Sequence, residues 1–436
     1  MKQTVLYALA LLGLPAAAQQ PMTLRQCIDY AVARNVQVRQ YETARKSREV
    51  SLDDARKARL PEVSGYASQQ FNFGRGLTAD NTYVSRNTSS TGFGANVSMP
   101  LFTGFRLPAR KEQARLDLEA ATADLQRVRE DLGIRVAEVY MQVLYRQELQ
   151  MQAREQCELS RSQLNRVEKL FAVQKVSGLE VSEARSRVAQ DELSLTEADN
   201  ARRLALLDLS QLIEMPSPDS LAVVPPSAAE VPVSVAGSPQ QIYEQAVGVR
   251  PSVRALRLRA ESARKGIDIA RSGYWPTLSL GAGLGSSFYS TSGMDHSPFG
   301  RQMKDNFNRS ISLSLNVPLF DRFQTRNAVR QARLEHENSL WQQEQACKDL
   351  YKEIQQAWYN AVAAERKYEQ SGVAESVADE AFRLMEKKYE NGKAGSTEYD
   401  EARIKRLNAV YGRIAARYEY LFRAKILDFY RGRPIG

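Results

Sequence analysis

The chain is written twice. Ala31, Val32, Val38, Arg39, Ala55, Arg56 and Pro61 return as Ala246, Val247, Val253, Arg254, Ala270, Arg271 and Pro276, each at an offset of 215. Further on the offset becomes 218: Pro100, Leu101, Phe102 and Phe105 return as Pro318, Leu319, Phe320 and Phe323, and Lys175, Glu180, Glu183, Ala184 and Arg185 as Lys393, Glu398, Glu401, Ala402 and Arg403. A duplicated chain must fold as two copies of one supersecondary unit, so any element read in one half is expected in the other. The added residues fall between positions 276 and 318.

That interval carries the clearest strand period. Ile311, Leu313, Leu315, Val317 and Leu319 alternate with Ser310, Ser312, Ser314 and Asn316, which separates an apolar from a polar face. Phe93, Ala95, Val97, Met99 and Leu101 repeat the pattern, as do Leu278, Leu280, Ala282 and Leu284 against Ser279, Gly281 and Gly283, and more weakly Val63 to Phe73. Each half therefore carries one hairpin, over 62–102 and 277–320. Its long polar loop lies near Arg75 to Ser90 or Tyr289 to Asn308.

The rest reads as helix: Thr23 to Arg59, Phe105 to Ala172 and Gly178 to Ile213, with second-half partners Gln240 to Ser272, Arg322 to Tyr389 and Ser396 to Arg431. Leu125, Val128, Leu132, Val136, Val139 and Val143 recur at spacings of three and four, a coiled-coil seam. The repeat-equivalent aromatics Tyr140 and Trp358 fall in such stripes and read as core. At about 1.5 Å per residue a helix of roughly 68 residues reaches on the order of 100 Å, and two shorter helices stacked end to end would match it, giving a rod.

The ends and the composition narrow the setting. Residues 1–18 have Lys2, an apolar run from Val5 to Leu14 and Ala16-Ala17-Ala18, the form of a signal peptide cleaved before Gln19. No later stretch approaches about 20 unbroken apolar residues, so a helical membrane anchor is not expected. The expected organisation is signal peptide 1–18, first repeat 19–213, linker 214–237 and second repeat 238–436.

The 60 basic and 51 acidic residues are interleaved along helical stretches, the pattern of solvated faces and not of a nucleic-acid-binding stripe. Cys27, Cys157 and Cys347 have neither metal-ligand nor redox spacing and read as packing residues. Gly281 to Gly285 lacks the helix a dinucleotide fingerprint needs, and Met294-Asp295-His296 reads as polar loop. With only His296 and His336 as histidines and no nucleotide loop or nucleophile elbow, the sequence points to no catalytic residue, cofactor or metal site.

Four strands with one apolar face cannot stand alone in a bilayer, because unpaired edge groups find no water there and only a closed barrel satisfies them. The barrel must be shared between chains. Two chains give eight strands and a filled interior, whereas three give twelve and room for a lumen lined by the polar faces.

In these features the chain resembles the TolC family of outer-membrane efflux proteins. The elements that carry the resemblance are Ala58-Arg59-Leu60-Pro61 before the first strand, the Pro-Leu-Phe closings at Pro100 and Pro318, and two helical hairpins turning near Val173 to Gly178 and Asn391 to Ser396. The resemblance implies an α+β membrane protein: a homotrimer with a twelve-stranded transmembrane β-barrel, four strands per protomer, continued by a periplasmic α-helical coiled-coil tunnel. It implies a passive exit duct in outer-membrane lipid that docks onto a periplasmic adaptor and an inner-membrane transporter. A periplasmic coiled-coil adaptor or scaffold is the alternative, against which the amphipathic strands speak.

The resemblance also implies site residues. The docking tips align with Val173-Gln174-Lys175 and Asn391-Gly392-Lys393, where lysine replaces a small or apolar residue and the first copy lacks the glycine; Gly178 and Gly392 could instead serve only to permit tight turns. The periplasmic constriction aligns with Glu398 and Glu401, three apart on one helix face, and with Tyr389. Around a three-fold axis the acids would form two rings that favour cations. Ala394 stands where a latching arginine is expected. Glu180 and Glu183 are the first-repeat equivalents, with Ser177 and Glu180 at capping-box spacing.

Overall fold

The computed structural model describes residues 20–77, 81–85, 87–225 and 237–433. The expected signal peptide lies outside them, as does linker segment 226–236. Strand β1 (Gln20–Met22) and helices α1 (Leu24–Arg34) and α2 (Val36–Lys57) lead to β2 (Glu62–Asn72), the short β3 (Arg75–Leu77) and β4 (Tyr83–Ser85), and β5 (Thr88–Thr103). Helices α3 (Arg106–Ala172) and α4 (Gly178–Leu212) complete the first repeat, and β6 (Leu221–Val223) follows. The second repeat comprises α5 (Pro239–Val247), α6 (Pro251–Arg271), β7 (Thr277–Thr291), α7 (Phe299–Asp305), β8 (Asn308–Asn316), α8 (Gln324–Glu390) and α9 (Ser396–Tyr430). The duplication holds to the residue in the long helices: α3 and α8 each have 67 residues, α4 and α9 each 35.

Two helices expected as continuous are broken, at repeat-equivalent positions. Asn35 leaves the helical region, and its side chain accepts from the Gln37 and Val38 backbone N–H groups at 2.9 and 3.4 Å, capping α2. In the second copy Arg250 stands at this position, and the following Pro251 opens α6 at the one place where a missing N–H costs nothing.

The chain divides into two compact units. The first comprises the described residues among 20–42, 124–253 and 346–433. Its core contains Leu125, Val128, Leu132, Val136 and Val143 of the expected seam, with Cys27, Leu209, Ile213 and Leu421 buried beside them. β1 and β6 pair in parallel within it, so the linker contributes a strand. Tyr140 is buried against this pair, and its hydroxyl donates to the Val224 carbonyl at 2.6 Å.

The second unit comprises residues 43–123 and 254–345. It holds a four-stranded antiparallel sheet of order β2-β5-β7-β8 and a two-stranded one of β3 and β4. The step from strand to long helix uses the same device in both copies. Gly104 and Phe105 are both left-handed at φ 61° and 68°, and their equivalents Arg322 and Phe323 follow at 55° and 63°. Only the first copy requires glycine: a Cβ on Gly104 would lie 2.6 Å from the Ser272 carbonyl oxygen. The residue before each pair caps the helix, Thr103 accepting from Leu107 N–H at 3.4 Å and Asp321 from Thr325 N–H at 2.7 Å.

Candidate functional site

The register of the sheet sorts every side chain. Val63 faces Val97, Val97 faces Ala282 and Ala282 faces Ile311; two residues along, Met99, Leu280 and Leu313 align. Directly opposed residues share a face, so this face is apolar across all four strands. Ile311, Leu313 and Leu315 are 84%, 65% and 63% exposed, which no water-facing sheet would tolerate as a contiguous patch. The other face carries Ser68, Asn96, Ser310, Ser312 and Ser314, with glycines at 92, 94, 281, 283 and 285. Tyr66 lies across these glycines, its ring where a Cβ on Gly94 would sit at 2.5 Å. A β-bulge corrects one expectation. Between Pro100 and Phe102 the pairing slips past Leu101, so Phe102, and not Leu101, continues the apolar row opposite Leu278.

Aromatic residues bound the apolar band. At the helix-proximal end Phe105 meets Phe102 and Trp275 edge-on at 5.3 and 5.9 Å, and Phe320 meets Phe323 at 5.7 Å. At the loop end Phe71, Phe73 and Phe307 are exposed. From Phe93 to Phe102, about ten residues at about 3.3 Å each and tilted about 40° span about 25 Å, the height of the apolar band of an outer-membrane barrel.

In the first unit, the two hairpin tips close by the same device. Gln174, left-handed at φ 58°, places Lys175 N–H on the Leu170 carbonyl at 2.9 Å; Gly392, at φ 66°, places Lys393 N–H on Lys388 at 2.8 Å. Both are Schellman closures, so glutamine performs at 174 what glycine performs at 392. Gly178 is the first residue of α4 and supplies no left-handed turn, which removes the turn-forming role expected of it. Val173, Gln174, Lys175, Asn391, Gly392 and Lys393 are all exposed.

The expected constriction residues separate into two environments. Glu398 and Glu401 are exposed on α9, and Glu398 accepts from Gly395 N–H at 3.2 Å, the same capping contact that Glu180 makes with Ser177 N–H at 3.3 Å. Tyr389 instead stacks on buried Tyr399 with ring centroids 4.8 Å apart, and burial pushes its phenol above the ordinary range. It lines a cavity of about 560 Å³ between the two tips together with Glu180, Glu183 and Lys175. Arg166 crosses between the hairpins to Glu390 at 2.9 Å.

Beside these lies an ionic cluster that sequence reading missed. Arg403 of α9 donates to both carboxylate oxygens of Asp191 of α4, at 3.0 and 3.3 Å, and Gln156 of α3 donates to the same carboxylate at 3.4 Å. Arg187 pairs with Asp400 and lies over the Tyr399 ring at 5.8 Å. Asp191 and Arg187 are both buried. The repeat marked only Arg403, whose equivalent is Arg185; the equivalents of Arg187, Asp191 and Asp400 are Lys405, Ala409 and Ser182, so the cluster joins the two copies without being repeated in sequence.

A two-faced sheet whose outer strands have no further strand partner among the described residues, a banded apolar surface and paired helical hairpins define a protein of the outer-membrane channel class. The chain belongs to the outer membrane efflux protein family, which it matches over residues 27–213 and 242–432, one segment per repeat. It is 26% identical to the pyoverdine export outer membrane protein OpmQ of Pseudomonas putida over 76% of this chain and 69% of that protein. To the cobalt-zinc-cadmium resistance protein CzcC of Cupriavidus metallidurans it is 24% identical, over 73% and 68%. Its fold superposes on the Campylobacter jejuni CmeC outer membrane channel with a TM-score of 0.76, covering 94% of this chain and 85% of that one at 18% identity. The protein is thus an efflux protein of the outer membrane with a TolC-like fold, and not an enzyme.

Proposed function

We propose that three copies of this chain close one twelve-stranded barrel and one helical tunnel, through which solutes delivered by an inner-membrane transporter leave the cell passively. The observation that carries this reading is the pair of free edges. β2 and β8 have no outer strand partner among the described residues, and three antiparallel steps leave them running in opposite directions. β8 of one protomer can therefore pair antiparallel with β2 of the next, as an even-stranded barrel requires. Twelve strands leave a lumen, and the glycine- and serine-rich face suits it.

At the periplasmic end, Glu398 and Glu401 would form two acidic rings, with Tyr389 set behind them on Tyr399. The cluster of Asp191, Arg403, Arg187 and Asp400 would hold the two hairpins of each protomer together. The tips at Val173 to Lys175 and Asn391 to Lys393 would receive a periplasmic adaptor, lysine in both copies favouring an acidic counterpart. The partner pump would decide the cargo: a metal ion, a small organic molecule or a protein.

The test is planar-bilayer conductance of the purified protein, for wild type and for Glu398→Ala with Glu401→Ala. Small cation-selective currents that enlarge or lose selectivity in the variant support both channel and rings. Unchanged currents reject these residues as the constriction, and absence of conductance rejects the channel.

A further inference from the structure

The loop between β7 and β8, which sequence reading left as long and polar, contains α7 and is built around a strand mismatch. β7 runs to Thr291 but its pairing with β8 begins only at Gly285 opposite Asn308, so the upper part of β7 has a bare edge. Helix α7 covers it with side chains. Gln302 accepts from Tyr289 N–H at 3.0 Å and donates to the Tyr289 carbonyl at 3.0 Å, while Asn306 donates to the Ser287 carbonyl at 2.6 Å. A bare strand edge is thereby satisfied without a strand.

The same helix lies on the apolar side of the sheet. Phe288 belongs to the apolar row, opposite Thr91, and Phe299 meets it at 5.3 Å; Ser286, on the same row, donates to the Met303 carbonyl at 2.5 Å. With Phe299 and Met303 toward the sheet and Gln302 and Asn306 toward the edge, helical spacing leaves Arg301 and Lys304 on the remaining, outward face. Beneath it, Arg309 faces Leu284 and stands two residues above Ile311 on the apolar row, its guanidinium 5.2 Å over the exposed Phe307 ring. No carboxylate among the described residues pairs with Arg309 or Lys304, whereas Arg301 pairs with Asp305 at 3.6 Å.

A cation on the lipid-facing side of a strand is tolerated only at the interface, where it meets headgroups. The loop end of the sheet is its extracellular end, since the helices are periplasmic. We propose that α7 and the start of β8 form a seat for a phosphorylated glycolipid of the outer leaflet, its phosphates on Arg309 and Lys304 and its acyl chains on the row led by Ile311. This rests on the barrel reading above and adds a ligand to its outer rim.

The test uses the full-length protein in phosphatidylcholine vesicles carrying either diphosphoryl lipid A or its dephosphorylated form, with retained lipid measured by native mass spectrometry. Wild type should retain the phosphorylated form preferentially. Arg309→Gln and Lys304→Gln should each weaken retention about fivefold, the order expected for one basic side chain at an anionic membrane surface. Arg309→Lys should keep most of it. Equal retention of both lipids, or unchanged retention in the double variant, overturns the seat. Displacement of the lipid by inorganic phosphate at comparable concentration would mean a free-anion site and would overturn the lipid assignment. A chain that fails to insert, with no heat-dependent shift in electrophoretic mobility, sinks the barrel reading and the seat together, whereas an inserted barrel without lipid preference sinks only the seat.

Discussion

Tyr140 and Trp358, equivalent across the repeat, each donate a hydrogen bond to the linker between the repeats: Tyr140 to the Val224 carbonyl at 2.6 Å and Trp358 to the Gly237 carbonyl at 2.9 Å. Two aromatic positions that read as mere core thus tie down both ends of the connection. Tyr140 also accepts from Val224 N–H at 3.1 Å and meets the Met22 carbonyl at the same distance, so one hydroxyl serves β1 and the residue after β6. Tyr140→Phe removes the donor to the Val224 carbonyl, while Val224 N–H keeps the Met22 carbonyl at 3.3 Å, and should cost about 0.5–1.5 kcal/mol. Limited proteolysis after the linker should accelerate in Tyr140→Phe more than in Trp358→Phe, whose ring is only half-buried.

The Asp191–Arg403 pair should behave as a buried ion pair. Removing one partner strands the other, at about 3–5 kcal/mol, while replacing both by apolar side chains restores much of the loss. Asp191→Leu and Arg403→Met should each lower the helical melting temperature followed by circular dichroism, and the double variant should recover. Additive losses would show that the pair contributes no coupling.

In the proposed barrel, Tyr66 and Gly94 would set the bore, since the Tyr66 ring lies where a Cβ on Gly94 would sit. A side chain at 94 must displace the Tyr66 ring, so Gly94→Val should reduce single-channel conductance and Tyr66→Ala should raise it. Unaltered conductance in both would place this face away from the permeation path.

Cys27 is wholly buried, and burial pushes its thiol up to about 11 from an ordinary 9.0. The fold favours the protonated thiol, so its contribution to stability is complete below pH 9 and declines as pH rises toward 11. At pH 8 maleimide should modify half-buried Cys347 while Cys27 reacts only after denaturation. Rapid labelling of native Cys27 would contradict the packing.

At the tips, Lys175→Glu with Lys393→Glu should weaken adaptor binding, measured by pull-down of the purified adaptor, without altering conductance. An adaptor that binds the variant as well as wild type would remove the lysines from the docking surface.

Much of this was legible from residues alone, because duplication and alternation are properties of the chain. The offset between Pro100 and Pro318 located both hairpins, the alternation from Ile311 to Leu315 separated an apolar from a polar face although the strand stops at Asn316, short of the expected Val317 and Leu319, and the spacing from Leu125 to Val143 identified a seam that is indeed buried. The resemblance to the TolC family rested on those same elements. Less visible were the helix breaks at Asn35 and Arg250, whose causes are a side-chain cap and a following proline, both weak against a long helical period.

What tertiary structure alone decided concerns contacts between segments far apart in sequence. The sequence determined that there are two copies, that each has a two-faced hairpin, and that the long helices match, since periodicity is local and cumulative. It could not determine that Leu101 bulges out of register, that Gln302 satisfies a strand edge, or that Asp191 meets Arg403 across 212 residues. Those depend on which partner each group finds once the two copies are packed, and a charge or an amide carries no mark in sequence of the distant group that will satisfy it.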